Sequence, residues 1–587
     1  MSDKNMAGTR RRIIATAAAA ALAAGGLLVG GATGASAAAA KSGGTLYMVT
    51  HNGQFAHADP QRNYTGQDIA FFNTYVYRNL VVYKPAAGPS GSGLVADLAT
   101  NTGVPSNNAK TWKFTLRPGV KWEDGSAITC ADVKYGVSRT YATDVITDGP
   151  AYALSMLNIP NNKDGSSQYA GPYKKTGQAL FDKAVTCSKD NRTITFNLGH
   201  SVADFNYAAS YPAFGPVKAS KDTGDKYDLK PMASGPYKIA KYTINGEMDL
   251  VRNPNWSKAT DIVRPAYPDN VTVRFGLDSN VIDQIMLTDS IPNTVNLDGL
   301  QPVNNQKFFA EAQYSARRMN VNDPYVRYYG LNSSPGHLDC LLVRKAFFFA
   351  WDTQALIDLS GGSQFFGAIG DNPIKPVLGL DYAPTTGNTH DSNFKAAGNP
   401  TYAKSLLDQA KTVCPATYAK VTGDVGLSID LPNNATQQKA SVLMKAALSQ
   451  AGFNVKFNFI PGGQYYPTVQ DITKQGDASR AGWGADWANA STVIPPLYLK
   501  DGGFDLSGNW LDPVYAGFAA KVTAALAMTD RPKQAAEWKS LAQFAMDQYW
   551  ISVPIFTKQQ LDWGSKVGGV AFWDPQGTFL FPALYVK

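Results

Sequence analysis

The chain predicts an α/β protein of two or three domains, and three observations carry that expectation. Its 587 residues exceed what one hydrophobic core organises. Residues 425–459 read as a strand, a helix and a second strand, and residues 111–139 as strands followed by a capped helix. Hydrophobic residues make up 44% and charged residues 17% of the sequence, which is the composition of a chain that buries a core and not of a disordered one.

The first element is an export signal. Thr9-Arg10-Arg11-Arg12-Ile13-Ile14 opens an Ala/Gly-rich apolar run to about Ala40 with no charge between Arg12 and Lys41. Ala35-Ser36-Ala37 supplies small residues for cleavage. The paired arginines suit a Tat signal and the basic start equally suits Sec. The run is long enough to span a bilayer. Its Ala and Gly give little hydrophobicity per residue, so cleavage is expected, with the mature body starting near Lys41. No Cys precedes Cys130, so no lipid-anchor Cys follows the signal. No second long apolar stretch appears. These features place the mature protein outside the cytoplasm, in the cell envelope or periplasmic space, or secreted. The first 39 residues carry four Lys/Arg and one Asp, so removing them brings the formal charge from +8 to +5. With no basic run left, nucleic-acid binding is excluded.

Within the body, Trp112, Phe114 and Leu116 alternate with Lys113, Thr115 and Arg117, as on a half-buried strand. Arg117-Pro118-Gly119 is a turn signal, and Val120-Lys121-Trp122 restarts the strand pattern to form a hairpin. Thr129 stands three residues before Asp132, a capping box for a helix through Val133 and Val137. Thr193 to Leu198 closes this small β-rich block. Tyr237-Lys238 and Leu250-Val251 lie on two strands joined by a turn. Val343, Ala346, Phe347, Ala350 and Trp351 recur at helical spacing. Val425, Leu427, Ile429 and Leu431 alternate. Ala440, Leu443, Met444, Ala447 and Ala451 then follow helical spacing with Gly452 as C-cap, and Phe453, Val455, Phe457 and Phe459 alternate again. A unit of this length implies two parallel strands with a right-handed crossover.

These blocks, in this order, resemble the family 5 extracellular solute-binding proteins, the peptide, dipeptide and nickel receptors of bacterial ABC importers. The residues that carry the resemblance are Gly43 to Tyr47, Asp59-Pro60, Tyr75 to Val81, Lys110 to Arg139, Ser234 to Trp256, Arg327 to Ser333, Val343 to Phe347 and Arg480 to Trp487. The resemblance implies a two-lobed periplasmic-binding-protein fold, a Venus flytrap with an extra subdomain and mixed sheets flanked by helices. On that reading residues 1–40 are the signal, 41–275 form lobe I with a β-rich subdomain at about 86–200, 276–550 form lobe II, and 551–587 return to lobe I. The four cysteines suit an oxidising compartment and lack metal-ligand spacing. Three connectivities are possible, and the lobe assignment favours Cys130–Cys187 and Cys340–Cys414.

The resemblance also implies a ligand site. In Arg480-Ala481-Gly482-Trp483-Gly484-Ala485-Asp486-Trp487, Asp486 is the expected anchor for a peptide's α-ammonium. Trp483 stands beside it, Gly484 and Ala485 let backbone approach the ligand, Arg480 reaches toward it, and Trp487 completes the segment. The chemistry fits, because a carboxylate in a partly dry aromatic cleft needs a cation. Asn332 is a further candidate at the end of a strand, and Tyr465, Tyr466, Phe365 and Phe366 are candidates to line the cavity. No residue is identified for a peptide's carboxylate. The expected partners are a short peptide and the permease subunits of an ABC importer, with the protein a monomer and no cofactor implied. A nickel or metal-chelate receptor and a surface peptide sensor are the alternatives. His51, His57, His200, His337 and His390 show no i, i+4 metal pairing. The sequence holds no G-x-S-x-G elbow and no H-E-x-x-H, so an enzyme is not expected and no catalytic residue is named.

Overall fold

The computed structural model describes residues 40–587 except 501. The expected export signal, up to residue 39, lies outside the described residues. Two large mixed sheets organise the rest. The first has five strands in the order Thr294–Asn296, Thr45–Val49, Asn270–Arg274, Glu247–Arg252, Tyr237–Tyr242. Thr45–Val49 runs parallel to both neighbours. Its Leu46 and Met48 are fully buried and Thr45 and Tyr47 less so, the period of a strand with one face in the core. The second sheet has six strands in the order Gly367–Ile369, Ile555–Asp562, Arg318–Leu331, Ala478–Gly484, Leu427–Pro432, Val455–Ile460. The expected strand–helix–strand unit is present here: Leu427 pairs in parallel with Val455, and helix Ala435–Gln450 makes the crossover.

A smaller four-stranded sheet joins Val104–Ser106, Thr111–Thr115, Thr193–Asn197 and Val185–Cys187. The expected hairpin between the strand at Trp112 and Val120-Trp122 does not form. Trp112 and Phe114 instead face Phe196 and Ile194 across an antiparallel ladder, and the 120–122 stretch makes one isolated bridge, Lys121 to Ala127. Alternation fixes which side chains a strand buries but not which strand it pairs with. The capping box is present: the backbone N–H of Thr129 donates to Asp132 Oδ2 at 2.8 Å, opening helix Cys130–Arg139.

The buried apolar residues fall into two large clusters. One is built on the first sheet and the small sheet, the other on the second sheet and its helices. The chain passes between them later than the sequence suggested. The expected boundary at 275 precedes Thr294–Asn296, which extends the first sheet, and helix Ser279–Thr288, whose Ile282 and Met286 pack with Val49. The second sheet begins only at Arg318. The return also comes after residue 551, because Ile555–Asp562 is a strand of the second sheet and first-cluster side chains resume at Leu561 and Trp563. Strand membership is a long-range property that local pattern does not carry.

Both favoured disulfides are formed, Cys130–Cys187 with Cα atoms 5.8 Å apart and Cys340–Cys414 at 6.2 Å. Each closes a long loop, of 57 and 74 residues in sequence separation, and loops of that order are worth about 2–4 kcal/mol per bridge. Non-reducing peptide mapping is expected to recover these two links, and reduction to lower the melting temperature. A Cys130–Cys340 peptide would contradict the pairing.

Candidate ligand-binding cleft

Strand Ala478–Gly484 supplies the wall from which the expected site segment emerges. It pairs antiparallel with Arg318–Leu331, Tyr325 opposite Gly484 and Arg327 opposite Gly482. The two glycines admit the side chains of these partners. A Cβ at Gly484 would lie 2.7 Å from the Tyr325 ring, and one at Gly482 would lie 2.8 Å from Arg327 Cδ. The room at Gly482 and Gly484, the latter expected to serve a ligand's backbone, is thus filled by Arg327 and Tyr325.

Two cavities meet beside this strand. One of about 490 Å³ is lined by Tyr64, Tyr211, Tyr466, Trp483, Ala485 and Asp486 among others. The other, of about 560 Å³, is lined by Asn52, Asp68, Asp323, Arg327, Lys558 and Gln559 among others. Thr65, Gly66, Tyr325 and Gln576 border both. They therefore form two compartments of one cleft, walled by first-cluster elements on one side and the second sheet on the other. Volumes of this size hold small ligands.

Asp486 sits in the aromatic compartment, half-buried. Its Oδ1 accepts from the Tyr64 hydroxyl at 3.2 Å and its Oδ2 from the Tyr152 hydroxyl. Its backbone carbonyl accepts from the Tyr211 hydroxyl at 2.8 Å. No Lys, Arg or His pairs with it among the described residues. Burial pushes its carboxyl up to about 6, and the phenol hydrogen bonds only partly offset that. The carboxylate is thus satisfied by neutral donors alone, with no protein cation beside it among the described residues.

The other expected residues divide. Trp483 lines the same compartment, with its indole N–H on the Thr492 carbonyl at 2.7 Å and its ring 4.9 Å from Phe504. Tyr466 lines it too, its ring 5.5 Å from Phe504. Arg480 and Phe366 border a separate apolar recess of about 110 Å³ that also takes in Arg327. Four expected residues lie outside the lining of both compartments. Trp487 does not line the compartment beside Asp486. It is buried in the first cluster, with its indole N–H on Asp204 Oδ2 at 2.6 Å, because the chain turns inward after Asp486. Asn332 is fully buried and shapes a turn, donating to the Gly476 carbonyl and accepting from the Ser334 N–H at 3.1 Å. Tyr465 is buried, its hydroxyl on the Arg480 carbonyl at 2.7 Å. Phe365 packs on Phe309 at 5.7 Å. Sequence reading missed Tyr64, Tyr152, Tyr211 and Arg327. The three tyrosines come from separate parts of the first half, Tyr152 opening the short helix Tyr152–Met156, and nothing local marks them as neighbours of Asp486.

The histidines are scattered. His51, His57, His337 and His390 each lie against a different aspartate: Asp298, Asp228, Asp477 and Asp371. Among the described residues no group of His, Cys, Asp and Glu is placed to hold a metal, and no helix is long and apolar enough to cross a membrane.

Comparison with known proteins agrees with this architecture. The sequence profile described as bacterial extracellular solute-binding proteins, family 5 Middle, matches residues 93–505. The periplasmic oligopeptide-binding protein OppA of Salmonella typhimurium is 24% identical over 494 residues, covering 81% of this chain and 82% of OppA. The probable D,D-dipeptide-binding periplasmic protein DdpA of Escherichia coli is 22% identical, covering 84% and 86%. Among solved structures, clavulanic acid biosynthesis oligopeptide binding protein 2 superposes with a TM-score of 0.82 at 25% identity, covering 93% of this chain and 96% of that one. With more than half of its length inside the family profile and its two-sheet architecture shared, this chain belongs to the family 5 bacterial extracellular solute-binding proteins.

Proposed function

We propose that the protein captures short peptides in the cleft and delivers them to the permease of an ABC importer, acting as a monomer outside the cytoplasm. The observation that carries the reading is Asp486, a carboxylate in an aromatic wall with phenol donors and no cation. A peptide's α-ammonium supplies the missing charge, and a charge-assisted hydrogen bond of this kind is worth about 1.5–3 kcal/mol. Two of the relatives, one named as an oligopeptide-binding and one as a probable D,D-dipeptide-binding protein, add support. A ligand that touches both walls favours their approach by its differential affinity for the closed state, and the closed form is what the permease receives. Native mass spectrometry of protein purified without denaturation tests the reading. Co-purifying peptide masses are expected, and a metal or another small molecule in their place would discard it.

The titration of Asp486 gives a further expected result. The ammonium binds the ionised carboxylate, and Asp486 in the free protein titrates at about 6. Tyr64, Tyr152 and Tyr211 stay neutral throughout, since burial and Asp486 itself raise them. Peptide affinity is therefore greatest between about pH 6 and the α-ammonium's own pKa of about 8, falling about tenfold for each pH unit below about 6 and falling again as the ammonium loses its proton. Calorimetric titration between pH 5 and 8 checks this, and an affinity flat across that range would contradict it.

A further inference from the structure

The chain passes from the first sheet to the second between Asn296 and Arg318, and comes back after Asp562. Arg318 and Asp562 are the end pair of their antiparallel ladder, so the two passages lie side by side. Just beyond them the Trp563 N–H donates to the Arg317 carbonyl at 3.1 Å and the Gly564 N–H to the Thr294 carbonyl at 2.8 Å. Trp563 also bridges Val295. Residues 562–564 therefore lie between the start of a second-sheet strand and the edge strand of the first sheet. A rotation of one half against the other is absorbed where the chain links them.

At this crossing stands a carboxylate with no cation. Other buried aspartates have one: Asp59 pairs with Arg139 at 2.6 Å, Asp97 with Arg264 at 2.8 Å and Asp323 with Lys375 at 2.9 Å. Asp562 is fully buried. Its Oδ1 accepts from the side-chain amide of Asn296 at 2.9 Å, and its Oδ2 has no hydrogen-bond partner among the described residues. Asn296 is the last residue of the first sheet's edge strand, so this hydrogen bond ties the crossing to that sheet. The charged groups around it give little relief. Asp283 and Asp298 oppose its ionisation, and Arg317 favours it. Arg317 is engaged by Asp289 at 3.1 Å, and Asp298 by His51 at 2.7 Å. Arg318, its backbone neighbour, donates instead to the Glu311 carbonyl at 3.1 Å.

Resting on the closing motion in the reading above, we propose that Asp562 is a hinge latch that holds while it carries its proton. The neutral carboxyl packs against Asn296 and keeps the crossing strands on the first sheet, and ionisation loosens them. A neutral acid is tolerated in a dry site, whereas an unpaired carboxylate draws in water. Burial pushes the Asp562 carboxyl up to about 7 in the packed hinge, and water in the loosened hinge returns it to the ordinary value of about 4. The group is raised in the packed state, so packing is favoured at low pH. It loses ground about tenfold per pH unit between about 4 and about 7, and no further above that, where both forms are ionised.

The test is hydrogen exchange read by mass spectrometry on the ligand-free protein, wild type against Asp562→Asn, from pH 5 to pH 8. Asparagine keeps the size of the side chain and has no proton to lose. Dividing the wild-type rate by the variant's at each pH cancels the pH dependence of chemical exchange. For the amides of residues 562–566 this ratio is expected to rise at least tenfold from pH 5 to pH 7 and then level off. For the strand Val455–Ile460 it is expected to stay flat. Asn296→Ala is the second variant if Asp562→Asn melts early. It removes the one donor to the carboxylate, and the levelling-off should move to higher pH. A ratio that is flat at 562–566 overturns the latch, and assigns any pH dependence shared by both proteins to other groups such as His51. A ratio that rises alike in every segment overturns it as well, because the whole fold and not the hinge would then be opening. These readings need no peptide, so they fail or stand separately from peptide capture, which native mass spectrometry decides.

Discussion

Asp486→Ala is expected to weaken peptide binding at least a hundredfold and to strip co-purifying peptides from the protein. The magnitude follows from what is left behind. The ligand's ammonium would enter an aromatic compartment with no counter-charge, since no other acid lines it, and truncating one member of a hydrogen-bonded charge pair costs about 2–5 kcal/mol. Asp486→Asn separates the ligand role from a structural one. The amide oxygen still accepts from one of the two phenols, its NH2 donates to the hydroxyl oxygen of the other, and it carries no charge to bury. The wild-type carboxyl, raised to about 6, holds its proton more tightly when folded than when unfolded, so ionisation above that pH destabilises the ligand-free protein. Asp486→Asn should therefore melt no lower than the wild type at pH 7.5 and still fail to hold peptide. N-acetylated peptides, which lack the ammonium, should bind the wild type and the variant alike. A variant that melts early, or that keeps its peptides, would remove Asp486 from the role of anchor.

How much of this was legible in the sequence differs between fold and site. The strand–helix–strand unit at 427–460 was readable because its periodicities are local and its crossover has one permitted hand. The capping box at Thr129 and Asp132 was readable for the same reason. Strand pairing was not: Trp112 announces a buried face, but its partner Phe196 is set by a sheet that closes over a long stretch of chain. The site shows the same division. Trp483 and Asp486 were found because they share one segment with a family pattern. Tyr64, Tyr152 and Tyr211 reach Asp486 from three distant points of the chain, and only the fold juxtaposes them. Arg327 looks in sequence like any strand arginine. Its place at the border of the cleft is visible only once the strand is paired with 478–484. Trp487 misled for the opposite reason, because adjacency to Asp486 in sequence does not keep two consecutive side chains on the same side of the chain.

Trp487→Ala is the second large effect, and it should appear in the approach of the two halves rather than in either half alone. The indole is 3% exposed and belongs to the first apolar cluster, 5.1 Å from the Tyr152 ring. Its backbone follows directly from a strand of the second sheet. Asp204 receives both the Trp487 indole N–H and the Ser491 hydroxyl, each at 2.6 Å, which fixes the same segment twice. Truncating a buried Trp costs about 3–5 kcal/mol. If the cleft opens by separating the halves, that cost falls on the closed state, and each half keeps its own core. Small-angle scattering of the ligand-free variant should then give a larger radius of gyration than the wild type. Peptide affinity should fall in proportion to the lost closed population, and the contact with Asp486 itself would remain available. Asp204→Ala should act in the same direction with a smaller effect, since it removes the acceptor and leaves the ring in place. Asp204→Asn, which keeps an accepting oxygen, should act least. A lowered melting temperature with an unchanged radius would instead make Trp487 an ordinary core residue, and the halves a single rigid body.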